Sequence, residues 1–131
     1  MRALLLPVGE DTYAVPMDVA REVIVAPTVT TLPTAPPSVL GVCNVRGEIV
    51  PVFDTGILLG LGPLESVRAV TLVDADLGPA ALAVSGIGAS VELDDPVAVT
   101  EAPGTAGAFV YDDGLAVLVD VDVLLAPARL G

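Results

Sequence analysis

The chain has no histidine, no tryptophan and no lysine, a single cysteine, and only 3% aromatic residues over its 131 positions. Without histidine there is no imidazole to activate a serine or cysteine nucleophile, and the commonest ligand for zinc or iron is missing, so most hydrolase and redox-metal chemistries are excluded. Without lysine there is no Gly-rich phosphate cradle of the kind that adds an ammonium to backbone N–H groups. Gly56, Gly60 and Gly62 lack the strand-to-helix setting and the spacing of a dinucleotide fingerprint, and read as turn and cap residues. Cys43 has no partner for an internal disulfide and lies in an apolar run, where it reads as a small buried hydrophobe. No apolar run approaches the ~20 residues that cross a bilayer. Arg2 to Leu6 leads at once into Pro7, Glu10 and Asp11, rather than into the longer apolar stretch and small-residue site of a signal peptide. The expectation is a cytoplasmic protein with no direct membrane insertion.

Positive charge is also scarce. Five arginines stand against 17 carboxylates, a net charge of −12. That balance argues against nucleic acid and anionic lipid surfaces, both of which are held through basic side chains, and favours solubility and partners with basic patches. What is plentiful is Val, Leu, Ala and Ile, in a chain that is 53% hydrophobic. A chain of this length suits one domain that buries roughly two-thirds of the surface its unfolded form exposes. Branched apolar residues favour strands, so the core is expected to be all-β with short helices.

Glycine and proline clusters divide the chain at short intervals, giving about ten strands in the manner of a sandwich or small barrels. Leu4 to Val8 and Thr12 to Val15 form a first hairpin across Gly9-Glu10-Asp11, and Asp18 is placed to cap a short helical segment through Val23. Thr28 to Leu32 reads as loop or edge strand. Val39 to Val45 and Ile49 to Phe53 flank Gly47 as a central hairpin, with Pro51 demanding an edge position or a bulge because proline cannot donate to a ladder. Asp54 or Thr55 caps the helical turn that ends at Leu59-Gly60. Further strands are expected at Ala69 to Val73, Ala80 to Val84, Val91 to Leu93, Pro96 to Thr100, Ala108 to Tyr111 and Leu115 to Val119, with Glu101 to Gly107 as a loop, then a short helix at Val121 to Leu125. Pro127 to Gly131 should fray.

Four carboxylate pairs need a test for metal or acid-base chemistry: Asp74 with Asp76, Asp94 with Asp95, Asp112 with Asp113, and Asp120 with Asp122. None carries a calcium-loop spacing, and turn aspartates ordinarily bond the local backbone. Tyr13, Phe53, Phe109 and Tyr111 fall in strand patterns and read as core rather than as the wall of a sugar or substrate cleft. No enzymatic activity, no cofactor and no metal is expected.

The stretch from Gly41 to Leu61, with Asn44-Val45-Arg46-Gly47, Ile49-Val50-Pro51-Val52, Asp54 and Leu58-Leu59-Gly60, resembles the core signature of CheW-like domains. Tyr13-Ala14-Val15-Pro16, Arg21-Glu22-Val23, Leu32-Pro33 and Val39-Leu40-Gly41 are similar to that family's upstream landmarks, in order. Gly114 to Asp120 and Leu124-Leu125 resemble its closing strand and terminal helix. The resemblance implies one CheW-like domain over 1–131, core about 3–126, folded as two intertwined five-stranded SH3-like barrels in one compact unit. It implies a non-enzymatic adaptor of bacterial chemosensory signalling, with the regulatory domain of a CheA-type histidine kinase and the cytoplasmic tip of methyl-accepting chemoreceptors as partners. It assigns Arg46 and Glu22 to the partner-facing surface, with Asn44 and Gly47 shaping the turn and Val23 and Val50 adding apolar contact. Two departures stand out: Asp54-Thr55-Gly56 where the family has leucine and a basic residue, and Val84-Ser85-Gly86-Ile87 where it has a Val-Asp-x-Val pattern. They leave open a diverged structural or decoy module that serves pilus motility or gene regulation without receptor coupling.

Overall fold

A computed structural model describes residues 1–112 and 114–126. Among the described residues, eleven strands and two short helices follow one another: β1 (Arg2–Val8), β2 (Asp11–Pro16), β3 (Ala20–Val25), β4 (Val39–Val45), β5 (Glu48–Asp54), α1 (Thr55–Leu58), β6 (Ala69–Ala75), β7 (Gly78–Val84), β8 (Ser90–Glu92), β9 (Pro96–Ala98), β10 (Thr105–Tyr111), β11 (Gly114–Val119) and α2 (Val121–Leu124). They form a six-stranded sheet in the order β8-β1-β2-β11-β10-β9 and a five-stranded sheet in the order β3-β6-β7-β5-β4. The expected mostly-β architecture of two strand systems is observed, with one strand more than five on one side. The five-stranded sheet is made by an unbroken stretch of chain, whereas the six-stranded sheet is assembled from the strands before and after it.

Alternation along the strands explains how two sheets share a core. In β7, Ala80, Leu82 and Val84 face a cluster with Leu4, Leu6, Val15, Phe53, Val119 and Leu124, while Ala81 and Ala83 face a second cluster with Cys43, Val45, Val50, Val52 and Leu72. A strand covered on both faces reads as an uninterrupted apolar run, which is why Ala80 to Val84 carries no polar residue. A third cluster, with Ala3, Ala14, Leu93, Phe109 and Leu118, fills the six-stranded side. Cys43 is buried as expected, and burial pushes its thiol up.

Local signals placed most elements. The first hairpin pairs Val8 with Asp11. Asp54 caps α1, its Oδ1 accepting from Ile57 N at 3.1 Å and its Oδ2 from Leu64 N at 3.2 Å. Asp120 caps α2 in the same way. Thr105 to Gly107, expected in a loop, extends β10 instead, with a bulge before Ala108. Asp113 and the expected fraying of Pro127 to Gly131 lie outside the described residues.

Two expectations need correction. Asp18 caps no helix: residues 20–25 are strand β3, paired antiparallel with β6. Val23-Ile24-Val25 is a β-branched run that loses side-chain freedom in a helix and packs well on a pleated surface, and that preference prevails over one capping residue. Pro51, for its part, lies in β5, an interior strand of its sheet. Val42, its opposite number in β4, exchanges both backbone hydrogen bonds with Thr30 on the far side (2.8 and 2.9 Å). The Val42–Pro51 pair is therefore a non-hydrogen-bonded one that asks no donor of the proline. Pairing with β7 covers only Val52 to Asp54, beyond Pro51, and the anticipated bulge falls on β4 between Val39 and Gly41.

Candidate partner-binding surface

β4 and β5 are joined by a two-residue connection, Arg46-Gly47, between the paired Val45 and Glu48. Both residues have positive φ, +51° at Arg46 and +87° at Gly47, as a type I′ turn requires. Glycine adopts this freely, but an arginine does so at a cost of roughly 1–2 kcal/mol. Asn44 braces the turn from within, its Oδ1 accepting from Gly47 N at 2.9 Å. The turn residues expected to shape the position of Arg46 thus do so through a hydrogen bond and a backbone angle.

Arg46 meets Glu22 in a two-pronged ion pair. Nη1 donates to Oε1, and Nη2 donates to Oε2 at 3.0 Å. The arginine side chain remains 74% exposed and that of the glutamate 31%. Such a fork fixes the plane of the guanidinium while leaving its other N–H groups free to face outward. The hydrogen bond from Arg46, helped by its charge and that of Arg21, holds the Glu22 carboxyl below its usual value, and the same contact holds the guanidinium proton more tightly.

β3 and β4 are the two end strands of the five-stranded sheet, so this pair joins its opposite edges. A second link lies alongside. Arg21 stands between Glu48, 3.8 Å away, and Asp74, 3.6 Å away. Neighbouring side chains in a regular strand point to opposite faces, but the pairing of β3 with β6 shifts register between Ala20 and Glu22. A bulge re-aims side chains, and here it lets both Arg21 and Glu22 reach the β4–β5 hairpin.

The apolar residues fall differently. Val23 is half-buried against the shared core. Val50 is fully buried among Cys43, Val45 and Val52, so its placement at a partner-facing surface is corrected: it has no accessible area to present. Strand alternation puts Ile49 outward instead, 61% exposed beside the Arg46 turn. The phase was available in the sequence, because Val50 and Val52 share one face and Ile49 the other. The sequence raised Asp74 only beside Asp76 and Arg21 only as a neighbour of Glu22, and did not join either with Glu48 at this site, since the bulge that gathers them leaves no local signature.

Chemically the cluster is a set of exposed and half-exposed charges held in opposite pairs. Each charged group is met by an opposite one, and no nucleophile stands beside a base. Among the described residues no group of three or more histidine, cysteine or acidic side chains converges as metal ligands would. No helix of the described residues is long and apolar enough to cross a membrane.

Comparison with known proteins places this fold. A family model described as the CheW-like domain matches residues 2–129. Among solved structures, the scaffolding protein TtCheW from Thermoanaerobacter tengcongensis superposes with a TM-score of 0.80 at 21% sequence identity, over 95% of this chain and 92% of that one. A search of curated proteins finds no match.

Proposed function

Because the chain belongs to the CheW-like domain family, we propose that it is a non-enzymatic adaptor that couples chemoreceptor tips to a CheA-type histidine kinase on the cytoplasmic side of a receptor array. Such a protein carries geometry rather than chemistry. It offers one face to the kinase regulatory domain and another to the receptor, and holds both in register. Head-to-tail contacts of this kind close into rings when the rotation allows, and weak single contacts gain avidity once the assembly is multivalent.

The observation that supports this reading is the exposed Arg46–Glu22 fork on a strained hairpin turn. A guanidinium whose plane is fixed before the partner arrives loses less freedom on binding. Ile49 adds an apolar anchor beside it, and the surrounding acidity suits a partner with basic groups.

The test is calorimetric titration of the protein against the regulatory domain of a CheA-type kinase, at low and moderate salt. Saturable binding that weakens with salt is expected, and Arg46→Ala should fold normally yet lose receptor-dependent control of the kinase. A folded Arg46→Ala variant with full control removes Arg46 from the coupling surface. Absence of binding to any such kinase favours the diverged module.

A further inference from the structure

The eleven residues from Pro27 to Pro37 connect β3 to β4 by running outside the sheet edge. Their fastening is sparse. Thr30 and Val42 form an isolated bridge that is not extended into a ladder on either side. Pro27, Pro33, Pro36 and Pro37 have no N–H to offer one. Most of the segment is exposed, Leu32 by 41%, and only Val29 packs against the cluster under β4.

Each end is fastened as well, just outside residues 27–37, and Pro36 O accepts from Val39 N at 2.9 Å across Ser38. Ala26 N donates to Arg68 O at 2.9 Å, and Asp54 N donates to Ser38 O at 2.8 Å. Backbone strain lies inside and at one hinge: Thr34 has φ +60° and Ala26 has φ +50°. For a β-branched residue this is a genuine outlier, and it persists only while the surroundings enforce it. Against β4 the fit depends on Gly41, where a Cβ would stand 2.1 Å from Thr30 O.

We propose that residues 27–37 form a strap that opens from the β4 edge as a unit, between hinges at Ala26 and Ser38, while both sheets stay folded. Opening relieves the strain at Thr34 and leaves the Val42 N–H and C=O unpaired at the sheet edge. It also frees the link between β3, which carries Glu22, and β4, which leads into the Arg46 turn. A protein that must seat partners on this seam thereby has an element that yields without loss of the core.

The experiment is amide hydrogen exchange on the intact chain, residue by residue, through a series of low urea concentrations. Thr30 and Val42 report the strap, and Cys43 and Val50, the next pair along and directed at each other, report the sheet. Thr30 and Val42 should exchange together, on the order of 100-fold faster than Cys43 and Val50, with little response to urea because a local opening exposes little surface. Val29→Ala, which trims the strap's one apolar contact with the cluster under β4, should accelerate Thr30 and Val42 further and leave Cys43 and Val50 unchanged. A wild-type Val42 amide as protected as that of Val50, or one with the same urea response, overturns the proposal whether or not the variant folds. So does a folded variant that accelerates all four.

Discussion

The two sheets close on themselves by different means. In the six-stranded sheet the end strands β8 and β9 are consecutive, joined through Leu93 to Asp95. Leu93 N donates to Met1 O at 2.7 Å and Asp94 N donates to Val110 O at 3.0 Å, so backbone ties that joint to both neighbouring strands. In the five-stranded sheet the ends β3 and β4 are joined by the strap, which one isolated bridge holds to β4, and by the Arg46–Glu22 ion pair, with Arg21 pairing to Glu48 of β5 alongside. Backbone closure is satisfied within the chain and leaves little for a partner to read. Side-chain closure in water contributes little to stability, but it stations oriented charges where a partner can reach them. On the proposed function, the difference assigns stability to one seam and recognition to the other.

The largest effect should come from the core that both sheets share. Leu82 is fully buried there, and Leu82→Ala should cost about 3 kcal/mol, the usual range for a core leucine whose cavity cannot collapse. Because β7 is packed on both faces, the loss should appear as one lowered urea midpoint, followed identically by amides of either sheet. Two separated transitions would show that the seams belong to independent units, and the contrast between them would lose its meaning.

A paired substitution compares the seams directly. A Cβ at Gly88 would stand 1.9 Å from Leu5 O, in the stretch where Leu5 N donates to Ala89 O at 2.9 Å. Leu5 is held in β1 by its pairing with β2, so Gly88→Ala should cost roughly 1–3 kcal/mol, as overpacking does. Gly41→Ala puts a clash of similar closeness against a strap that yields, and alanine is also strained at the φ of +150° there, so the informative readout is where the loss appears: the Thr30 and Val42 amides should be released at lower urea than those of Cys43 and Val50. Release of all four at the same urea concentration would mean that the β3–β4 seam is as rigid as its counterpart.

How much of this was legible in the sequence follows the same division. Hairpins, caps and the terminal helix are local events: Asp54 and Asp120 cap helices within three residues of themselves. Strand β3 was misread because its own residues offer a cap at Asp18, whereas the partner that makes it a strand, β6, lies far along the chain. Arg46 and Glu22 were singled out separately by resemblance. Their contact arises only when the sheet rolls its edges together, and no spacing in the sequence encodes that. Val50 is the opposite case, since period-two alternation already paired it with Val52 on the inner face and left Ile49 outside.

The smallest effect is the most specific to the charged seam. Arg46 lowers the Glu22 pKa from its ordinary 4.5, first by hydrogen bonding and then by its charge. Folding therefore weakens proton binding at this carboxylate, and the unfolded chain takes up the proton first as pH falls. The contribution of the pair is present in full above the ordinary value, declines as pH drops below it, and is gone once pH passes the lowered folded value. Glu22→Gln should thus lower the urea midpoint slightly at neutral pH and make no difference in strong acid. Added salt should narrow the neutral gap, because both side chains face solvent. A gap that survives in acid would assign the role of Glu22 to packing rather than charge. The recognition seam would then be held by shape, and the distinction between the two closures would rest on the strap alone.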